Sequence, residues 1–92
     1  MPVAKAVCAS KQLFCPHWLG GGIGLIASMH LKAAVGHAGF VEVDSNPNFL
    51  REAMAMPYPV VSEGKVQLSN EPGLGIAPDI NQLIDLQVKH YF

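Results

Sequence analysis

Phe14-Cys15-Pro16-His17 leads into Gly20-Gly21-Gly22-Ile23-Gly24, and one helix-length later comes Phe40-Val41-Glu42-Val43-Asp44. A histidine after one apolar run and a carboxylate inside the next are the raw material of acid–base chemistry. An imidazole can act as a general base near neutral pH. The order reads as strand, glycine turn, helix, strand: one βαβ unit. Neighbouring parallel strands end on a common rim, so His17 and Glu42 would converge on whatever binds above the sheet. Spacing alone leaves two plainer roles open, a loop-capping His17 and a solvent-facing Glu42. In a strand buried on both faces, however, a carboxylate is costly unless a ligand, metal or donor meets it.

Two other chemistries compete for the same residues. Gly22-Ile23-Gly24-Leu25-Ile26-Ala27 fits the G-x-G-x-x-G/A dinucleotide fingerprint, with Glu42 close to the expected ~20 residues downstream. A pyrophosphate would then sit on the helix N-terminus and the carboxylate on the ribose. Against this, Pro16, His17 and Trp18 separate strand from glycines, and no further βα units follow Asp44. Cys15-x-His17 offers two metal ligands, but no second cluster has zinc-like spacing. His30, on the apolar face of its helix, reads as a core or lining residue, while His37 and His90 lie in polar stretches and read as solvent-facing. Trp18 reads as packing or pocket wall.

The elements that must position these groups follow from pattern. Ala4–Lys11 is a short Ala-rich helical segment. Gln12–Cys15 and Phe40–Asp44 are the strands, and Pro16 ends ladder bonding from its own nitrogen. From Ile23, apolar spacing through Ile26, Met29, His30 and Ala33 predicts a helix that stops at Gly36. Ser45 or Asn46 can cap a helix with Pro47 in its first position, running through Asn48, Leu50, Arg51 and Ala53 and stopping before Pro57. Pro59–Val61 and Val66–Leu68, joined through Glu63-Gly64, predict a β-hairpin. Glu71–Gly75 is a loop, and Pro78-Asp79 opens a last helix over Ile80–Val88. Two parallel strands are not a stable sheet by themselves, and both outer edges stay open. Further strands must come from elsewhere.

Composition points the same way. The chain has 92 residues, enough for one small domain, yet it is 50% hydrophobic and only 14% charged. Soluble proteins average roughly 25% charged residues, and a small globule should be more polar than average because its surface is large for its volume. The chain reads either as a tight Ala/Gly-rich domain or, the favoured reading, as a piece of a larger core or an obligate oligomer subunit. A formal net charge of −1 supplies no basic field, which argues against a nucleic-acid partner. No run approaches the roughly 18 apolar residues of a membrane span. The N-terminus does not read as a signal peptide, and Cys8 and Cys15 read as reduced thiols, so the expected location is cytoplasmic.

Taken together, Phe14–Trp18, the glycine turn, Ala27-Ser28-Met29-His30-Leu31-Lys32-Ala33-Ala34 and Val41–Asp44 resemble the C-terminal end of enolase-superfamily enzymes, closest to the mandelate racemase/muconate lactonizing enzyme group. The likeness continues through Asn46-Pro47-Asn48, Leu50-Arg51-Glu52, the hairpin and Pro72–Gly75, about residues 4 to 84 in all. It implies an α/β fold: residues 1–56 as strands seven and eight of a modified TIM-like (β/α)7β barrel with their helices, and 57–92 as the hairpin, loop and helix returning to a capping domain. It implies a dehydratase or racemase that removes the proton α to the carboxylate of a hydroxy acid or acid sugar and holds the enediolate on Mg²⁺. On this likeness His17 is the base and Glu42 the acid that hydrogen-bonds the enediolate, with Trp18, Gly20 and Gly21 along the substrate pocket. The family's metal ligands and the Asp that partners the histidine lie on earlier strands, so no metal ligand is expected in this chain. A TIM barrel takes about 250 residues. The chain is thus expected to be a C-terminal fragment that is inactive by itself and self-associates through uncovered faces. The rival is a small dinucleotide-binding or interaction module using Gly22, Gly24, Ala27 and Glu42.

Overall fold

A computed structural model describes residues 1–88, in which four short α-helices and one 3-10 turn are joined by extended segments. The first helix, α1 (Pro2–Ala9), carries Pro2 in its first turn, where the missing N–H does no harm. Ser10 closes its end by donating from Oγ to the Val7 carbonyl at 2.7 Å. Lys11, at φ 60, turns the chain into the extended segment that ends at His17.

The glycine turn feeds α2 (Gly22–Val35), which ends as expected at Gly36. Gly36 adopts φ 62 and donates its N–H to the Lys32 carbonyl at 3.1 Å, a left-handed cap that glycine takes without a Cβ penalty. The buried face of α2 is Gly22, Leu25, Ile26 and Met29. Ile23 and Ala33, expected on that face, are exposed instead. The helix is rotated because its partners approach from the Leu25–Met29 side: Ala55 completes the buried cluster, with Val41, Tyr58, Val66, Leu68, Leu74 and Ile76 packed around it. Residues 58–76 thus wrap the face of α2, and His30 fixes them with a 3.3 Å hydrogen bond between Nε2 and the Leu74 carbonyl.

The two expected strands are extended but form no ladder, and no regular strand occurs among the described residues. A single parallel bridge joins His17 to Glu42. Its bonds run from Glu42 N to the Pro16 carbonyl (3.2 Å), with Phe14 N to the Ala38 carbonyl (2.9 Å) further back. Two segments without outer neighbours, one interrupted by proline, cannot extend the pairing. The hairpin is likewise reduced to one bridge, Ser62 to Lys65, across a two-residue turn with Glu63 at φ 52 and Gly64 at φ 70. These are the left-handed values of a hairpin turn, but beyond it the arms part as Val66 and Leu68 turn onto α2.

The third helix, α3 (Phe49–Ala53), is capped by Asn48 rather than by Ser45 or Asn46, and Pro47 lies outside it. Asp44 and Asn46 are engaged with each other, which leaves Asn48 Oδ1 to accept the Arg51 N–H at 3.0 Å. Met56 then pairs with Ala77 in an antiparallel bridge. Asp79 caps α4 (Ile80–Leu83), and a 3-10 turn over Ile84–Leu86 follows, so the last helix is shorter than expected. His37 is half-buried rather than solvent-facing, with Nε2 3.0 Å from the Gln12 carbonyl. His90 lies outside the described residues.

The folded chain leaves much of its apolar surface uncovered. Its accessible area is 6898 Å², whereas a closed monomer of this mass would expose about 5,200 Å². Its radius of gyration is 15.3 Å, against about 12 Å for a compact 92-residue domain. Leu13, Leu19, Phe40, Val60 and Val88 are all more than 60% exposed.

Candidate active site

The parallel bridge sets His17 and Glu42 side by side at the ends of their segments. His17 Nδ1 lies 4.0 Å from Glu42 Oε2, and their side chains are 54% and 64% exposed. Both groups face open space next to the glycine turn. At that separation a small ligand atom can be shared between imidazole and carboxylate, whereas a tight ion pair would have closed the gap. Trp18 follows His17 directly, and its indole lies over Gly20 and Gly24: a Cβ on either glycine would meet the ring within 2.7 Å. Gly21, the N-cap of α2, has open space around it. Trp18, Gly20 and Gly21 therefore flank the His17 end of the rim, and Glu42 approaches from the neighbouring segment.

The fingerprint glycines have other occupants. A Cβ on Gly22 would stand 2.1 Å from the Arg51 carbonyl oxygen and 2.5 Å from the Ala55 Cβ. Gly22 lets α2 seat on α3, and Gly24 makes room for the Trp18 indole. Ala27 is exposed. Two of the fingerprint positions, Gly22 and Gly24, are thus packed against the chain's own groups, while the N-cap Gly21 stays open.

Behind the rim lies a polar network. Arg51 is 4% exposed. It donates from Nη1 to Asp44 Oδ2 at 3.2 Å and from Nη2 to the Asn46 carbonyl at 2.7 Å. Asp44 Oδ1 accepts the Asn46 N–H and side-chain amide at 3.0 and 2.8 Å. The Asn46 backbone N–H, most of all, holds the Asp44 carboxyl below the usual carboxylate range; burial works against this, and the Asn46 amide and the Arg51 charge reinforce it. Sequence reasoning named Asp44 and Arg51 only as members of their elements. The signal was present in Asp44-x-Asn46-x-Asn48-x-x-Arg51, an Asx turn followed by a helix cap whose third residue is a cation.

Among the described residues no three His, Cys, Asp or Glu side chains converge on one point. Asp79 is engaged as well: its carboxyl is lowered chiefly by the Gln82 side-chain amide, then by the Gln82 and Asn81 N–H groups. Among the described residues no such cluster offers a divalent cation a ligand set. Cys8 and Cys15 are free thiols, and no helix among the described residues is long and apolar enough to cross a membrane. A separate cleft of about 340 Å³, lined chiefly by Met29, Tyr58, Leu68, Leu74 and Ile76, contains none of the rim residues.

No curated protein and no solved structure matches the chain. A family model described as enolase C-terminal domain-like matches residues 2–83, nearly the whole span over which the sequence resemblance runs. The chain therefore belongs to the enolase C-terminal domain-like family.

Proposed function

We propose that this chain is the base-bearing end of a barrel enzyme that abstracts the proton α to a carboxylate, acting on a hydroxy acid or acid sugar as a dehydratase or racemase. The observation that carries the reading is the parallel bridge that sets His17 and Glu42 4.0 Å apart on one open rim, within a family whose members act on small molecules. In the proposed chemistry His17 takes the α-proton onto a ring nitrogen. Glu42, when protonated, donates a hydrogen bond to the carboxylate oxygen on which negative charge grows, and such a donor works best where water is excluded. Trp18, Gly20 and Gly21 bound the substrate beside His17. Enolase-superfamily members generally use Mg²⁺. The ligands of such an ion would lie on polypeptide outside these residues, and no step assigned to His17 or Glu42 passes through it.

The uncovered surface supports the same reading. Residues 1–56 serve as the barrel segment and 57–92 as the return toward a capping domain, with the exposed apolar residues meeting the remaining strands, or further copies of the chain. The setting proposed is cytoplasmic. The chain alone, given Mg²⁺ and an acid-sugar substrate, should neither dehydrate it nor exchange its α-proton into D₂O above the buffer rate, because Glu42 by itself supplies too little of the charge stabilisation that the step requires.

The decisive test replaces the corresponding segment of an active family enzyme with residues 2–83 and follows α-proton exchange by NMR. The chimera should exchange, and His17→Asn should lower the rate by about 10²–10⁴-fold, the usual share of a general base. A chimera that exchanges equally well with Asn at position 17 refutes the assignment. Titration with NAD separates the rival module, which predicts saturable binding by the chain alone.

A further inference from the structure

The geometry points to Arg51 as the positioning residue of the rim, a single side chain on α3 that sets where Glu42 stands relative to His17. This rests on the reading of His17 and Glu42 as the reacting pair. Arg51 touches neither of them. It acts on Glu42 through the two residues that follow it in the same extended segment: Nη1 holds Asp44 and Nη2 holds the Asn46 carbonyl. With Asp44 tied to the Asn46 N–H, and Arg51's own N–H tied to Asn48, the path from Glu42 to α3 has little freedom. On the other arm, the Arg51 carbonyl is the surface on which Gly22 sits, five residues after His17. One residue therefore fixes both ends of the bridge, Glu42 by its guanidinium and the His17 turn by its backbone.

The chemistry explains why the residue is arginine. A planar fork can satisfy a carboxylate and a carbonyl at once, which a lysine ammonium cannot do with fixed orientation. A buried cation is costly unless it is bonded in this way, and a burial this complete on a five-residue helix calls for a role beyond solubility. Arg51 Nε is buried without a partner among the described groups. The fork is thus oriented by its two terminal nitrogens alone, and those are the two that reach the Glu42 segment.

The test uses the 92-residue chain and amide hydrogen exchange resolved by residue, and does not depend on turnover. The reporter is the Glu42 N–H, which donates to the Pro16 carbonyl across the bridge; the internal standard is the set of α2 amides at Ile26, Met29 and Ala33. Arg51→Met leaves the backbone carbonyl under Gly22 in place. It should speed Glu42 exchange at least tenfold while the α2 amides change less than twofold. Arg51→Lys should fall between Arg51→Met and the parent chain. Asp44→Asn keeps an oxygen for Asn46 but loses the charge, and it decides the question if Arg51→Met does not fold; it should speed Glu42 selectively by threefold or more. Equal acceleration at Glu42 and along α2 would mean that Arg51 only stabilises the fold, and this overturns the proposal. So does an unchanged Glu42 amide, or a parent chain in which that amide is unprotected. A failed His17→Asn chimera with selective Glu42 exchange intact would remove the reaction and leave the clamp standing.

Discussion

Replacing Gly22 with alanine tests the contact on which the rim's geometry depends. The new Cβ would stand 2.1 Å from the Arg51 carbonyl oxygen and 2.5 Å from the Ala55 Cβ, where ordinary contact begins near 3.4 Å. Both obstacles belong to backbone or to a one-carbon side chain, so neither can swing away. α2 must instead retreat from α3 by roughly 1 Å, and overpacking of this kind costs about 1–3 kcal/mol. Alanine's better helix propensity returns about 0.5–1 kcal/mol. The net loss is about 1–2 kcal/mol, a fall in Tm of roughly 5–15 °C for a chain of this size. Gly21→Ala is the control: its Cβ would meet nothing within 4 Å and its φ is −66. That variant should stay within about 0.5 kcal/mol of the parent. Circular dichroism melts of both variants at one low concentration measure the difference. If Gly22→Ala melts with Gly21→Ala, the close seat of α2 on Arg51 is not there, and the reason given for glycine at position 22 is wrong.

Other outcomes follow from surface and charge. The roughly 1,700 Å² of accessible area beyond that of a closed monomer is comparable to what a subunit buries in a large obligate interface. Sedimentation velocity should therefore show concentration-dependent association that salt barely weakens, since the exposed groups are apolar; a monomer at every concentration refutes this. Asp44 and Asp79 both have folded-state values below the unfolded reference near 3.9, so the folded chain binds fewer protons than the unfolded one. Their stabilisation is complete above about pH 5 and is lost as the pH falls through the lowered values. Tm should drop as the pH falls below about 4, and a Tm unchanged to still lower pH would count against both hydrogen-bonded carboxyls. Leu25→Ala, at a side chain 1% exposed in the centre of the cluster, should cost about 2–5 kcal/mol in urea unfolding.

Local signals in the sequence determined the helices where they were self-contained. Gly36 stopped α2 because a left-handed cap suits glycine, and Asp79 opened α4 because its carboxylate reaches the next N–H groups. The adjacency of His17 and Glu42 was also legible, because a strand–glycine turn–helix–strand order leaves few ways for the second segment to return. The family was legible for a different reason: many weak motifs in fixed order are specific together. Tertiary structure decided the rest. Which face of α2 is buried depended on where residues 58–76 return, and no helical periodicity contains that. Strands failed to form because pairing needs neighbours that these residues do not include. The cap of α3 moved to Asn48 because Asp44, Asn46 and Arg51 satisfy one another, and the contact that leaves no room for a Cβ at Gly22 is the Arg51 carbonyl. A one-dimensional pattern fixes what a residue can do locally; which group it meets across the core is set by packing, and packing is a property of the whole chain.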